Sequence, residues 1–337
     1  MSVRFLCVGD LHLRASPTKY RMEDVEAFYE VQRSKLHWII DQALKYDCHA
    51  IIQAGDFFDS PNVPYSVLNM AMSELKRFQE HGPVLVVYGQ HDLRYHSASH
   101  LYNTPLMSLK ESGLVFLAGK KPYVLASSKS DEVVFVYGAG WGDPIPRPLD
   151  KDKASGVLKR KTLNVLVVHR LISDQPLFPG HKYCSSVLFL RKAKGFDLIV
   201  SGDNHQFFIR RLRSENRVLV NCGSVLRLTV EQKDFQPKVV LVDVGEEGVK
   251  IEKILSIPIH KEVFDLQRLE RERQIELDKA LGEFISQLQS RMEVKLDFVS
   301  NLNQCLKRIK LDPIAKQVLC YLASRCEIDL EVCRDES

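Results

Sequence analysis

Val3-Arg4-Phe5-Leu6-Cys7-Val8-Gly9-Asp10-Leu11-His12 decides the fold. A short, partly β-branched apolar run of this kind reads as a strand buried on both faces, and it ends in glycine followed by Asp and His, two metal-binding residue types. Four later runs repeat the arrangement. They are Ala50-Ile51-Ile52-Gln53-Ala54-Gly55-Asp56, Val84-Leu85-Val86-Val87-Tyr88-Gly89-Gln90-His91-Asp92, Val165-Leu166-Val167-Val168-His169 and Leu198-Ile199-Val200-Ser201-Gly202-Asp203-Asn204-His205. In open α/β sheets, ligands bind beyond the carboxyl ends of the strands. Five segments ending this way deliver Asp and His side chains to one edge of one sheet, which is how a chain builds a metal site.

The segments between these runs support the same class. Leu36, Ile39, Ile40, Ala43 and Leu44 fall at helical spacing within Ser34 to Tyr46, and Leu68, Ala71, Leu75 and Phe78 do so within Val67 to Phe78. Strand, helix, strand, helix, strand is the parallel α/β signature. Beyond residue 110, Tyr123 to Ala126, Val133 to Tyr137, Arg217 to Val220 and Lys238 to Val244 read as strands, with Gly245-Glu246-Glu247-Gly248 turning into Val249 to Leu255. They predict a second, partly antiparallel sheet packed on the first. From about Ile259 the strands stop. Leu277, Leu281, Phe284, Ile285 and Leu288 form a helical stripe, and Lys316 to Arg325 predicts another helix with Pro313 near its start. The expected division is therefore residues 1–257 and a mainly helical region, 258–337.

Composition leaves these readings open and closes others. At 337 residues, 45% hydrophobic and 27% charged, the chain is ordinary for a globular protein of more than one core. No apolar stretch approaches the ~18 to 20 residues that span a bilayer, and the first residues lead straight into a strand, so a cytoplasmic location without membrane contact is the expectation. Eight cysteines stand singly, without a Cys-x-x-Cys pair, and most read as reduced core residues. A net charge of +4 does not by itself establish a nucleic-acid partner.

Asp10 and His12 alternate along an extended chain and point to the same side, so they can hold one cation together. Asp56 offers two carboxylate oxygens and can bridge two cations; His169, Asp203 and His205 add further nitrogens and oxygens. Mixed imidazole and carboxylate donors suit Mn²⁺, Fe²⁺ or Zn²⁺ better than Mg²⁺ or Ca²⁺. Two cations about 3.5 to 4 Å apart can activate a water and neutralise phosphate oxygens during in-line displacement. Each residue taken alone is more often a surface group or a satisfied core residue. Their joint occurrence at five strand ends argues against that reading.

The ordered set of Asp-x-His, Gly-Asp-x-x-Asp, Gly-x-His-Asp, a lone His and Gly-x-x-His resembles the calcineurin-like metallophosphoesterase superfamily. Within it, Gly89-Gln90-His91-Asp92-Leu93-Arg94-Tyr95 and Asn221-Cys222-Gly223-Ser224-Val225-Leu226-Arg227 resemble the SbcD-type subunits of DNA double-strand-break repair, especially phage-type ones. The resemblance implies an α/β four-layer sandwich, two mixed β-sheets flanked by helices, with a C-terminal mainly helical region that caps substrate or docks a partner. It implies that Asp10, His12, Asp56 and His205 bind one cation and that Asp56, Gln90, His169 and Asp203 bind a second. His91 becomes the catalytic histidine that is not a ligand, and Asp59 orients its imidazole. Gln90 stands where the family usually has Asn, and Asp203 where it usually has His. That exchange makes the second position harder and favours Mn²⁺, with Mg²⁺, Fe²⁺ and Zn²⁺ as alternatives.

The activity implied is a Mn²⁺-dependent DNA exonuclease and endonuclease of recombination and repair, working in a bacterial cytoplasm with an SbcC-type ATPase, a second copy of the chain being a further candidate partner. Arg94, Tyr95 and His96, beside the catalytic motif, are candidates for holding DNA, with ordinary loop packing as the competing reading. Lys159, Arg160 and Lys161 close a proline-rich, basic loop, Asp143 to Lys161, and are further candidates; simple solubility competes there. A phosphatase or phosphodiesterase of small phosphoesters is the alternative enzyme. A scaffold with a degenerate metal centre is the non-enzymatic one.

Overall fold

The computed structural model describes residues 2–126, 132–177, 183–245, 247–259, 263–291 and 298–334, without the side chains of residues 288–291, so Glu246 of the expected turn and the Leu288 side chain lie outside the described residues. The chain divides into two compact units, Met1–Asp265 and Leu266–Ser337.

In chain order the strands are β1 (Val3–Val8), β2 (Ala50–Gln53), β3 (Val84–Val86), β4 (Phe116–Leu117), β5 (Tyr123–Ala126), β6 (Glu132–Ala139), β7 (Lys161–His169), β8 (Ile172–Ser173), β9 (Cys184–Ser185), β10 (Leu198–Gly202), β11 (Phe208–Leu212), β12 (Arg217–Asn221), β13 (Lys238–Gly245) and β14 (Gly248–Ser256). The helices of the first unit are α1 (Val25–Lys45), α2 (Tyr65–Gln79), α3 (Pro105–Glu111), α4 (Lys151–Leu158) and α5 (Ser186–Lys192). One six-stranded sheet runs β14-β13-β1-β2-β3-β4 and the other β11-β12-β10-β7-β6-β5. Both are mixed. β1 to β4 are mutually parallel and β13 lies antiparallel to β1; β6, β7, β10 and β12 are parallel, with β5 and β11 antiparallel at the edges.

Side-chain alternation sorts the layers. Phe5 and Cys7 of β1, Ile52 and Leu85 meet Val165, Val167 and Val200 between the two sheets. The intervening residues Leu6 and Val8 face Ile39, Ile40 and Leu75 of α1 and α2, while Leu166, Val168 and Ile199 face Phe189 and Leu190 of α5. Because every central strand is covered on both faces, its sequence is a continuous apolar run instead of an alternating one. Helix, sheet, sheet, helix is the four-layer arrangement expected.

Several expectations are corrected. The five site-bearing segments do not end on one sheet: β1, β2 and β3 belong to the first, and β7 and β10 to the second. β13 and β14 extend the first sheet, because the register Phe5↔Val242 places their apolar residues beside β1. The proline-rich loop contains α4, capped by Asp150, whose side chain accepts from the Asp152 and Lys153 amides. α1 starts earlier than its apolar stripe suggests because Asp24 caps it through the Ala27 amide. Val263 to Asp265 belong with the first unit, where the Met22 amide donates to the Val263 carbonyl and the Asp265 amide to the Tyr20 carbonyl.

The second unit holds α6 (Leu266–Arg291), α7 (Phe298–Leu306) and α8 (Pro313–Arg325), with Pro313 in the first turn of α8 and Asp312 as its cap. Six of the eight cysteines are free thiols, Cys7, Cys48 and Cys222 among them buried, and Cys320 and Cys333 are joined in a disulfide. The close of α8 and the turn beyond it bring their Cα atoms to 5.6 Å, within disulfide range. Among the described residues no helix is long and apolar enough to cross a membrane.

Candidate metal centre

The carboxyl ends of β1, β2, β3, β7 and β10 meet in one place, and the turns that follow them are tied to one another. The Leu11 and His12 amides both donate to the Asp56 carbonyl, at 3.1 and 3.0 Å. Gln53 at the end of β2 donates through Nε2 to the Gly9 carbonyl (3.1 Å) and the Gly55 carbonyl (2.6 Å), while its oxygen accepts from the Gly55 amide. The buried Asp92 accepts from the Phe57, Phe58 and Gly89 amides. Asn221 does the same work in the second sheet, donating to the Asn204 and Gln206 carbonyls on either side of His205. The Val225 amide then donates to the Asp10 carbonyl and the Ser224 amide to the His205 carbonyl.

Gln53, Asp92 and Asn221 were not assigned roles from sequence. Gln53 carried a signal, since a buried amide inside an otherwise apolar run must have its hydrogen bonds met. His12, Asp56 and Asp203 have φ of 48°, 47° and 75°. Left-handed backbone at non-glycine residues costs of order 1–3 kcal/mol each and clusters at functional sites.

These turns bring Asp10, His12, Asp56, Gln90, His91, His169, Asp203 and His205 together. The His12 and His205 Nε2 atoms are 3.0 Å apart, and His205 Nε2 is 3.4 Å from Asp10 Oδ2. Ligand atoms of Asp10, His12 and His205 lie within 4.8 Å of one another, and so do those of His12, Asp56 and His91. Asp56 Oδ2 lies 3.7 Å from His12 Nε2 and 3.3 Å from His169 Nε2. It is buried and has no hydrogen-bond partner. His169 Nε2 also lies 2.8 Å from Gln90 Oε1, and Gln90 Nε2 donates to Asp203 Oδ1 at 2.9 Å. The Asp203 amide donates to Asp10 Oδ2 at 3.0 Å.

The electrostatics call for positive charge. Burial pushes the Asp10 carboxyl up to about 7, against the pull of His169 and His12. Burial alone would lower His169, yet the Asp56 carboxylate beside it and the charges of Asp10 and Asp203 carry it up to about 10. Buried carboxylates must be paired, and in the metal-free protein a proton on His169 fills the need. Converging acceptors and an orphaned carboxylate oxygen suit a divalent cation in that position; the residues fit such a group.

His91 donates its amide to Asp56 Oδ1 at 2.9 Å, and its ring meets that of His12 edge-on at 4.9 Å. Asp59 is placed differently from the expectation. Its carboxylate lies 3.3 Å from His12 Nδ1, without hydrogen-bond alignment, and 3.1 Å from Arg14 Nη1. Only its backbone carbonyl reaches His91, 3.1 Å from Nδ1. The Asp59 amide donates to the Leu13 carbonyl at 3.0 Å, beside the parallel bridge of Leu13 with Phe58, and this pairing sets Asp59 next to the turn that carries His12.

Arg94, Tyr95 and His96 follow directly. Arg94 donates to Asn62 Oδ1, His96 Nδ1 is 3.3 Å from the Gln90 carbonyl, and Tyr95 is 77% exposed with its ring against His100. Lys159, Arg160 and Lys161 are not brought to the centre. They stand at the start of β7, whose other end carries His169, and eight residue steps of about 3.3 Å separate the two by about 26 Å.

The sequence pattern of the calcineurin-like phosphoesterase family matches residues 3–207. The DNA double-strand break repair protein Mre11 of Methanococcus maripaludis is 24% identical over 242 residues, 69% of this chain and 60% of that protein. Mre11 of Methanosarcina acetivorans is 24% identical over 316 residues, 90% of this chain and 47% of that protein. The chain thus spans 60% or less of the length of these relatives. Among solved structures, a dimetal phosphatase from Danio rerio covers 77% of this chain and all of its own, at 14% identity and a TM-score of 0.46. The family pattern takes in more than half of the chain and runs from β1 through the turn bearing Asp203 and His205, so the chain belongs to the calcineurin-like phosphoesterase family, with distant homology to the Mre11 repair proteins.

Proposed function

We propose that the first unit is a DNA nuclease that hydrolyses phosphodiester bonds at a centre of two divalent cations, Mn²⁺ foremost. The observation that carries this reading is the orphaned Asp56 Oδ2 between the His12 and His169 imidazoles, with His91 beside it. Asp10, His12, Asp56 and His205 hold one cation; Asp56, Gln90 and His169 face the other. Divalent cations at these positions supply charge to the phosphate oxygens and acidify the attacking water. The chain's own part is positional: the turns fix the donors before substrate arrives, so no reorganisation is required when charge develops.

His91 is the residue left for proton transfer. The Asp59 carbonyl accepts from Nδ1–H, so Nε2 is the nitrogen that stabilises the phosphorane oxygens or protonates the leaving oxygen. Arg94, Tyr95 and His96 hold the DNA next to it. The distant homology to Mre11 repair proteins favours DNA over a small phosphoester. The same kinship supports an SbcC-type ATPase as partner, docked on the helical second unit, with a second copy of the chain as a further partner and the cytoplasm as the place of action.

The test is hydrolysis of end-labelled linear duplex DNA with Mn²⁺, run beside His91→Ala and beside a chromogenic phosphodiester. Metal-dependent cutting that His91→Ala abolishes is the expected result. Hydrolysis of the small diester alone would replace the nuclease with a small-molecule phosphoesterase.

A further inference from the structure

The two residues that depart from the family pattern touch each other. Gln90 Nε2 donates to Asp203 Oδ1 at 2.9 Å, while Gln90 Oε1 lies 2.8 Å from His169 Nε2. The His169 tautomer gives the second contact its meaning. His169 Nδ1 lies 2.7 Å from the Ala54 carbonyl, and a carbonyl only accepts, so a neutral imidazole carries its hydrogen on Nδ1. In the metal-free protein the added proton on Nε2 faces Gln90 Oε1 and, 3.3 Å away, the unpartnered Asp56 Oδ2, and a cation that takes its place meets the Nε2 lone pair and these two oxygens. Three acceptors facing one another are stabilised by a cation among them.

Turning the Gln90 amide over would offer His169 a donor. It would also set the amide oxygen against a carboxylate oxygen at the 2.9 Å now spanned by a hydrogen bond. Asp203 therefore decides which end of the amide faces the cation position. An imidazole at residue 203 with its lone pair committed to a metal could not accept from the amide, so the exchange of His for Asp and of Asn for Gln belong together.

We infer that Asp203 is a positioning residue and not a ligand: it holds the Gln90 amide so that Oε1, with Asp56 and His169, forms the second cation position. This rests on the two-cation reading above, and the experiment separates the two. Mn²⁺ binding is followed by titration calorimetry and electron paramagnetic resonance in the wild type, Asp203→Asn, Asp203→Gly, Gln90→Ala and the Gln90→Ala/Asp203→Gly double variant. Asn and Gly both tolerate the φ of 75° at this position. Unchanged thermal unfolding without metal checks that the fold survives.

Asn keeps an oxygen that accepts from Gln90 but gives up the charge of a ligand. The expected result is two Mn²⁺ per chain in Asp203→Asn, with wild-type affinity to within about threefold, and a second Mn²⁺ weakened roughly 10- to 100-fold in Asp203→Gly, the usual cost of losing an outer hydrogen-bond partner. The double variant binds no worse than Gln90→Ala. Equal losses in the Asn and Gly variants, or additive losses in the double, make Asp203 a ligand and overturn the inference while leaving two cations in place. A wild type that binds one Mn²⁺ or none overturns both readings.

Discussion

Alanine at position 89 places a methyl group against Asp56, the residue proposed above to serve both cation positions. A Cβ built on Gly89 comes 2.0 Å from Asp56 Oδ1 and 2.6 Å from both Asp56 Cγ and the Asp56 amide nitrogen. Non-bonded carbon atoms settle at about 3.5 to 4.0 Å, so the two residues must part by about 1 Å. Neither is free to move. Gly89 is held by its amide to Asp92, and Asp56 by its Oδ1 to the His91 amide and its carbonyl to the Leu11 and His12 amides. Overpacking of this kind costs about 1–3 kcal/mol of stability, which the two-sheet core can absorb. The functional cost is larger, because a misplacement of about 1 Å lowers a rate by about 10²-fold. Urea unfolding with and without Mn²⁺ reads both effects. At a metal concentration of about 100 Kd the wild type gains about 2.7 kcal/mol, and Gly89→Ala loses most of that gain while still unfolding cooperatively. A Gly89→Ala protein with the full Mn²⁺ gain and undiminished hydrolysis would refute the placement of Asp56 between the cations.

Three other outcomes follow from the same geometry. His91→Ala keeps its Mn²⁺ stoichiometry by calorimetry and loses about 10²- to 10⁴-fold in kcat, the range for a positioned proton donor; loss of a metal instead would make His91 a ligand. Replacing Lys159, Arg160 and Lys161 together by Ala leaves KM for DNA within about twofold, since they stand about 26 Å from His169 along β7, whereas Arg94→Ala raises KM and flattens its salt dependence by about one phosphate contact; the opposite ranking would restore the basic loop. Lys35 donates to the Val225 carbonyl, and burial, with Arg227 and Arg21 nearby, lowers it to about 7. A base depressed in the fold binds fewer protons there than in the unfolded chain, so its contribution rises between pH 7 and the ordinary lysine value of about 10.4, by a few kcal/mol at most. Urea unfolding at pH 7 and pH 9.5 should show that rise in the wild type and not in Lys35→Met; equal slopes would remove Lys35 as its source.

The divide between what the sequence discloses and what it hides follows the range of the forces involved. A strand end is a local event: an apolar run, a glycine and then an Asp or His can be read in ten residues, and Asp10, His12, Asp56, His91, His169 and His205 do converge. Which sheet a strand joins is not local. β13 pairs with β1 across more than two hundred residues because their apolar faces match, and nothing in Lys238 to Val244 announces that partner. Nearness along the chain misleads in the same way. Lys161 and His169 share one strand and stand at opposite ends of it, and Asp59, three residues from Asp56, is set beside His12 by the pairing of its own amide with the Leu13 carbonyl, a contact between segments far apart in sequence. Gln90 and Asp203 illustrate the limit most directly. Read singly, each is a defect in a motif, one side chain too long and the other of the wrong chemistry. In space, the Gln90 amide donates to the Asp203 carboxylate while its oxygen faces His169. Two departures that look like decay along the chain thus form one hydrogen-bonded pair, whose geometry neither residue shows when read alone.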